Sequence, residues 1–301
     1  MTPRPLAINQ VYDTYLTVFS QLYFLKAEQL TRRLYKMGML TTVQARLKLL
    51  TEAGYLHSFH QPTVKSKSAY IYTLAAKGVR HVENNGRDVA VYYKPSELIE
   101  LSHPWLWHVL ELNDFIISAQ TLEKTVPQVS LARLHHDLSM KKEPIQVPME
   151  TWKNKAGETV TRFVDVWPDT FLDFRVRREG EKPLQYCFWV ELDRGTEQTI
   201  DRFKGKIRRI VAAILSGKMQ EYFGIKHLSA VLFPTTAGNR RVEQMRKWVI
   251  EILTDLHAKP DLVEMFLLAP FTASMTHQQV WFDPLWVTPL KEQTPISLLG
   301  E

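Results

Sequence analysis

Three acidic residues bracket one short stretch of this 301-residue chain: Asp169 in Pro168-Asp169, and Glu191 with Asp193 in Glu191-Leu192-Asp193. The residues between them read as a strand, Thr170 to Val176, a turn, Arg178 to Pro183, and a second strand, Leu184 to Leu192. Folding that segment about residues 180 to 181 sets Asp169 opposite Leu192 and gathers the three carboxylates at one end of a hairpin. Like charges so placed raise one another's pKa unless a cation neutralises them, and hard carboxylate oxygens suit Mg²⁺ or Mn²⁺. The same residues also allow a purely structural reading. In it Asp193-Arg194 and Glu197 to Arg208 form surface ion pairs, and Thr196 caps the following helix. Upstream, His108, Glu111 and Asp114 recur at i, i+3 and i+6 of a helical pattern, a polar stripe that faces either a site or solvent.

Elements of two kinds must position these groups. A helix starting near His103-Pro104 runs through Trp105, Leu106, Val109, Leu112, Phe115 and Ile116. Strands are expected at Val129 to Leu134 and Thr159 to Val166, separated by a Pro/Lys/Gly-rich connection from Lys141 to Gly157. After the acidic hairpin come a helix, Glu197 to about Lys218, a strand, Leu228 to Phe233, a helix, Arg240 to Leu256, and a strand, Glu264 to Ala269. That order predicts a mixed sheet flanked by helices, an α+β or α/β domain. Other chemistries find no support: GxxxxGK[ST] and HExxH are absent, and Cys187 sits mid-strand beside Phe188 and Trp189. Neighbouring His135 and His136 point to opposite faces of a strand, and Trp189, Phe203, Tyr222, Phe223 and Phe233 read as core.

The first third of the chain has a different character. Residues 1 to 100 hold 13 Lys/Arg against 7 Asp/Glu, whereas the remainder holds 25 of each, so the whole net charge of +6 resides there. Tyr15 to Leu25 and Lys26 to Leu34 show helical periodicity, and Gly38 closes the second helix. Thr41-Thr42 offer a cap for a third helix, Val43 to Ala53, which Gly54 stops. A strand pair follows around a polar loop, Gln61 to Ser68. Three short helices and a basic hairpin describe a winged helix-turn-helix, with Gln44, Arg46 and Lys48 on the third helix and Lys65 and Lys67 on the wing as contacts to duplex DNA. The expected division is a DNA-binding domain over 1–98 and an α/β domain over 99–301.

With 45% hydrophobic and 23% charged residues the sequence excludes a disordered or low-complexity chain. A single cysteine excludes an internal disulfide and fits a reducing, cytoplasmic setting, and no apolar run approaches membrane-spanning length. No heptad run signals a dimer, although a symmetric operator would imply a homodimer. The apolar tail from Trp281 to Leu299 offers either a partner patch or a segment packed on its own domain.

Several segments together resemble the replication-relaxation family of plasmid and mobile-element DNA-binding proteins. They are Leu22 to Leu34 (LYFLKAEQLTRRL), Arg46 to Leu56 (RLKLLTEAGYL), Tyr70 to Gly78 (YIYTLAAKG), His108 to Phe115 (HVLELNDF), Pro168-Asp169 and Val190 to Glu197 (VELDRGTE). The resemblance implies a winged helix joined to a domain similar to the PD-(D/E)XK nuclease fold. There Asp169 and Glu191 take the acidic positions that bind Mg²⁺ or Mn²⁺, with Glu111 or Asp114 as further ligands. Asp193 stands where the usual lysine belongs, and Lys204 or Lys206 on the next helix could replace it. The implied function is duplex-DNA binding in replication, mobilisation or transcriptional control, alongside replication or mobilisation proteins. A Mg²⁺-dependent endonuclease and a non-catalytic adaptor for a relaxase, replicase or nuclease are the alternatives.

Overall fold

Helical spacing of Tyr15, Leu16, Phe19 and Leu22 gives α1 (Gln10–Leu22) a fully buried stripe, and Asn9 caps it by accepting from the Tyr12 amide at 3.1 Å. The computed structural model describes residues 6–35, 38–60, 69–197, 199–290 and 294–300. Lys65 and Lys67, expected on the wing, lie outside them. The chain forms two compact units, Met1–Thr121 and Leu122–Glu301.

In the first unit α1 is followed by β1 (Leu25–Lys26), α2 (Ala27–Leu34), α3 (Leu40–Glu52), β2 (Leu56–His60) and β3 (Tyr70–Leu74). Then come α4 (Ala76–Asn84), α5 (Pro95–Glu100) and α6 (His103–Thr125), the last of which runs across the division between units. The strands form an antiparallel sheet in the order β1-β3-β2, with Leu25 opposite Tyr72 and Phe59 opposite Ile71. Helix α3 starts at Leu40, ahead of the expected Thr41-Thr42 cap, and Met39 precedes it without a side-chain cap. Helix α4 escaped the sequence reading because Gly78 falls inside it and reads as a breaker. Gly78 is required by packing: a Cβ there would lie 2.2 Å from the Tyr55 carbonyl oxygen. Most of α6 packs within this unit. Buried Asn113 donates to the carbonyls of Leu22 and Phe24, each at 2.8 Å, and Gln29 donates to the Leu110 carbonyl at 2.6 Å.

The second unit contains β4 (Val129–His136), α7 (Asp137–Met140), β5 (Ile145–Lys153), β6 (Thr159–Val166), β7 (Thr170–Val176) and β8 (Leu184–Val190). It continues with α8 (Ile200–Leu215), α9 (Lys218–Phe223), β9 (Ala230–Thr235), α10 (Asn239–Asp255), α11 (Pro260–Glu264), β10 (Phe266–Pro270) and α12 (His277–Trp281). A five-stranded mixed sheet runs in the order β10-β9-β8-β7-β4, antiparallel from β4 to β8 and parallel from β8 to β10. Strand β5 occupies much of the stretch read as a connection. Pro148 obscured it, since proline is rare within strands; here it sits at the bulge between Pro148 and Glu150 where β5 pairs with β6.

Phe171, Cys187 and Trp189 on one sheet face pack in a core with Phe203 and Ile207 of α8 and Val249 of α10. Tyr222 is the exception among the aromatics expected inside, being 38% exposed. The tail folds back: Trp281, Trp286, Leu298 and Leu299 are buried, and the Leu298 and Leu299 amides donate to the Trp281 carbonyl. Among the described residues, no helix is long and apolar enough to cross a membrane.

Candidate functional site

Strands β7 and β8 pair Thr170 with Val190 and Val176 with Leu184, so the hairpin is centred on residue 180, and the same register extended by one residue sets Asp169 opposite Glu191 just beyond the ladder. This is one residue from the expected register. The Leu192 amide donates to Asp169 Oδ2 at 2.8 Å, while the Asp169 carbonyl accepts from the Asp137 amide at 2.9 Å. Asp169 is thereby held between the ends of β8 and β4.

Alternation along β8 sends Cys187, Trp189 and Glu191 to one face, the face covered by α8. At that position Glu191 is 5% exposed. Its Oε1 accepts from Trp189 Nε1 at 2.8 Å, and its Oε2 lies 3.1 Å from Lys206 Nζ. Phe203, Ile207 and Ile210 anchor α8 on the sheet, which leaves Lys206 at the edge of the apolar stripe, directed at the strand ends. Glu197 Oε1 is a second, looser partner of Lys206 at 3.9 Å.

Burial pushes the Glu191 carboxyl up to about 7; Lys206 opposes this, and Asp169 adds to it. For Lys206 burial disfavours the charged form, but Glu191, Asp169 and Glu197 outweigh it and hold the ammonium above the ordinary lysine range. These groups line one cleft of about 430 Å³, whose walls also include Asp165, Trp167, Asp201, Arg202, Gly205 and Arg209.

The other expected groups are placed differently. Asp193 does not join the cleft: Arg241 of α10 clasps it with Nη2 at 2.7 Å from Oδ1 and Nε at 3.0 Å from Oδ2. Thr235 Oγ1 and the Gly195 amide also donate to Asp193 Oδ2, at 2.7 and 3.0 Å. The expected cluster of three carboxylates is therefore a pair, since Asp193 is neutralised by a cation 48 residues away that no local pattern announces. Among the described residues, no group of three or more His, Cys, Asp or Glu is arranged to hold a metal ion. Lys204 turns from the cleft to pair with Asp255, which leaves Lys206 as the lysine at the acidic pair.

Asp114, considered above as a ligand, belongs to the first unit, where Arg32 pairs with it and Gln29 donates to it at 2.8 Å. Burial raises its pKa, with Arg32 and Gln29 acting in the opposite sense. Glu111, one turn earlier on α6, belongs to the same unit.

On α3, Gln44 and Lys48 are exposed and line a groove of about 640 Å³ with Glu28, His60 and Tyr70. Arg46 is half-buried and is engaged by the protein itself, donating to Tyr35 Oη at 2.8 Å. The sequence reading also missed the Trp189 indole as a partner of Glu191. Its i, i+2 spacing on a strand was the available signal, but an apolar neighbourhood favoured a core assignment.

A family model described as replication-relaxation matches residues 16–228, more than two thirds of the chain. The protein belongs to the replication-relaxation family. No curated protein and no solved structure matches it. The stretch matched by the replication-relaxation model contains Asp169, Glu191 and Lys206 and ends before Arg241. Membership of the replication-relaxation family points to a role in replication or relaxation of a plasmid or other mobile element.

Proposed function

We propose that this replication-relaxation protein binds duplex DNA through its first unit and hydrolyses a phosphodiester at the Asp169–Glu191–Lys206 cleft with Mg²⁺ or Mn²⁺. The observation that carries this reading is the convergence of two carboxylates from adjacent strand ends with a lysine from the following helix. In the first unit, the order α1-β1-α2-α3-β2-β3 and the exposed Gln44 and Lys48 support a winged helix whose third helix reads the major groove. In the second, the antiparallel β7-β8 pair followed by α8 and β9 supports a PD-(D/E)XK-like core. The biological setting would be replication, mobilisation or transcriptional control of a mobile element, and a symmetric DNA site would call for a homodimer.

The donor set fits a divalent cation. The cleft lining holds five carboxyl residues, Asp165, Asp169, Glu191, Glu197 and Asp201, against three basic ones, Arg202, Lys206 and Arg209. Mg²⁺ keeps much of its water and binds one or two carboxylates plus substrate phosphate, which Asp169 and Glu191 can supply without a third acid. Such an ion contributes Lewis acidity and a more acidic bound water.

The chain's own residues do the rest. The Leu192 amide orients Asp169, and the Trp189 indole fixes Glu191 Oε1. Lys206, held as an ammonium, serves as a donor to a phosphate oxygen or the attacking water and stabilises developing negative charge.

Supercoiled plasmid incubated with Mg²⁺ or Mn²⁺ tests this directly. The parent protein should nick it, and EDTA or the combined Asp169→Ala and Glu191→Ala substitutions should abolish nicking. Duplex binding without cleavage by the parent would overturn the hydrolytic part. A second reading, a non-catalytic DNA-binding regulator or adaptor on a nuclease-like scaffold, is favoured by one observation: the residue at the lysine position, Asp193, is locked to Arg241.

A further inference from the structure

Along the cleft wall of α8, Arg202, Gly205 and Arg209 fall at i, i+3 and i+7, with Lys206 beside Gly205. Both arginines are exposed, and neither forms an ion pair with any described residue, unlike Lys206 and Lys204 on the same helix. Gly205 is the second observation. It lies inside a 16-residue helix, where glycine weakens the helix relative to alanine. Yet its backbone is ordinary, and a Cβ there would meet nothing nearer than Arg209 Nη2 at 4.0 Å. Neither φ nor packing calls for glycine at 205. What the residue provides is a bare stretch of helix on the cleft wall between two uncommitted guanidinium groups.

We propose that this edge of α8 seats a nucleic-acid strand, with Arg202 and Arg209 binding phosphates on either side of those lying over Gly205 and Lys206. The inference rests on the reading of the cleft as a phosphodiester site and assigns the residues that hold the strand there. Seven helical residues advance about 10.5 Å. A duplex strand presents a phosphate every ~3.4 Å of axial rise, so that span covers about three phosphate-to-phosphate steps, with the inner phosphates over Gly205 and Lys206. Guanidinium groups match phosphate geometry, and their lack of protein partners leaves them available for it.

The test uses the full chain, a 30-base-pair duplex titrated over a range of salt, and supercoiled plasmid. Arg202→Ala with Arg209→Ala should reduce the slope of log affinity against log salt by about 2, the signature of two lost phosphate contacts. Gly205→Leu should slow nicking at least tenfold and weaken duplex binding while the thermal midpoint stays at or above that of the parent. Failure of the parent to bind the duplex, or an unchanged salt slope in the arginine variant, overturns the proposal, even if plasmid nicking still depends on Asp169 and Glu191. A reduced slope with no nicking by any variant supports the strand seat and overturns hydrolysis instead. Should Gly205→Leu lose thermal stability, Gly205→Ser is the control: folded, with unchanged binding and nicking, it would also overturn the role of Gly205.

Discussion

At the scale of single residues, the three carboxylates of one hairpin end have separate fates, each set by what approaches from elsewhere in the second unit. Glu191 faces Lys206 and Trp189, whereas Asp193 faces Arg241 with both partners more than nine-tenths buried. Removing one member of a buried pair strands the other charge, so Arg241→Ala should destabilise the second unit by about 3–5 kcal/mol in chemical denaturation. A loss below 1 kcal/mol would contradict the structural role. The two lysines separate in the same way. Lys206→Met should reduce plasmid nicking at least tenfold, whereas Lys204→Met loses only a solvent-screened surface pair with Asp255 and should leave nicking unchanged. Equal effects of the two substitutions on nicking would contradict their assignment. Residue types and spacing made the acidic pair and the helix bearing its lysine legible. The choice between Lys204 and Lys206 was not, because the two point to nearly opposite sides of α8, about 200° apart, and only the docking of that helix on the sheet sets which side meets the strand ends.

At the scale of elements, α1 and α4 are stapled through Asp13, which accepts from Arg87 Nη2 at 2.8 Å and Nη1 at 3.0 Å and lies 2.9 Å from His81 Nε2. The hydrogen bond from Arg87 holds the Asp13 carboxyl below its ordinary range, with His81 acting in the same sense against the cost of burial. A depressed carboxyl pKa contributes stability above the unfolded value, ~3.9, and loses it as pH falls through the folded one. Asp13→Asn should therefore melt below the parent at pH 7, and the difference should narrow as pH falls below the unfolded value and through the depressed folded one; a gap independent of pH would refute the linkage. On α3, Lys48→Ala should weaken duplex binding at unchanged melting temperature, whereas Arg46→Ala should also lower that temperature because it removes the bond to Tyr35. Periodicity located α1, α2, α8 and α10 and fixed β6 and β7 to the residue. It missed α4 and β5, where Gly78 and Pro148 carry the signals of breaks but are accommodated by a close helix–carbonyl approach and a bulge.

At the scale of the whole molecule, the two units share one continuous helix, α6, and its side chains determine where the first unit ends. Asn113 closes the carbonyls after α1, Gln29 reaches the Leu110 carbonyl, and Arg32 pairs with Asp114. A fragment of residues 1–125 should fold cooperatively by circular dichroism, whereas one of residues 1–98, cut before α6, should not; two equally stable fragments would contradict this dependence. The basic first third, the helical and strand-like order, the replication-relaxation resemblance and the two carboxylates at neighbouring strand ends are all legible in the chain's residues. These properties are local: charge, period and short-range spacing are written in consecutive residues. Folding adds the pairing of Asp193 with Arg241, of Lys206 with Glu191 and of Arg46 with Tyr35, and the packing of most of α6 within the first unit. Each depends on partners from another element, and such contacts are set by how elements dock rather than by any pattern within them.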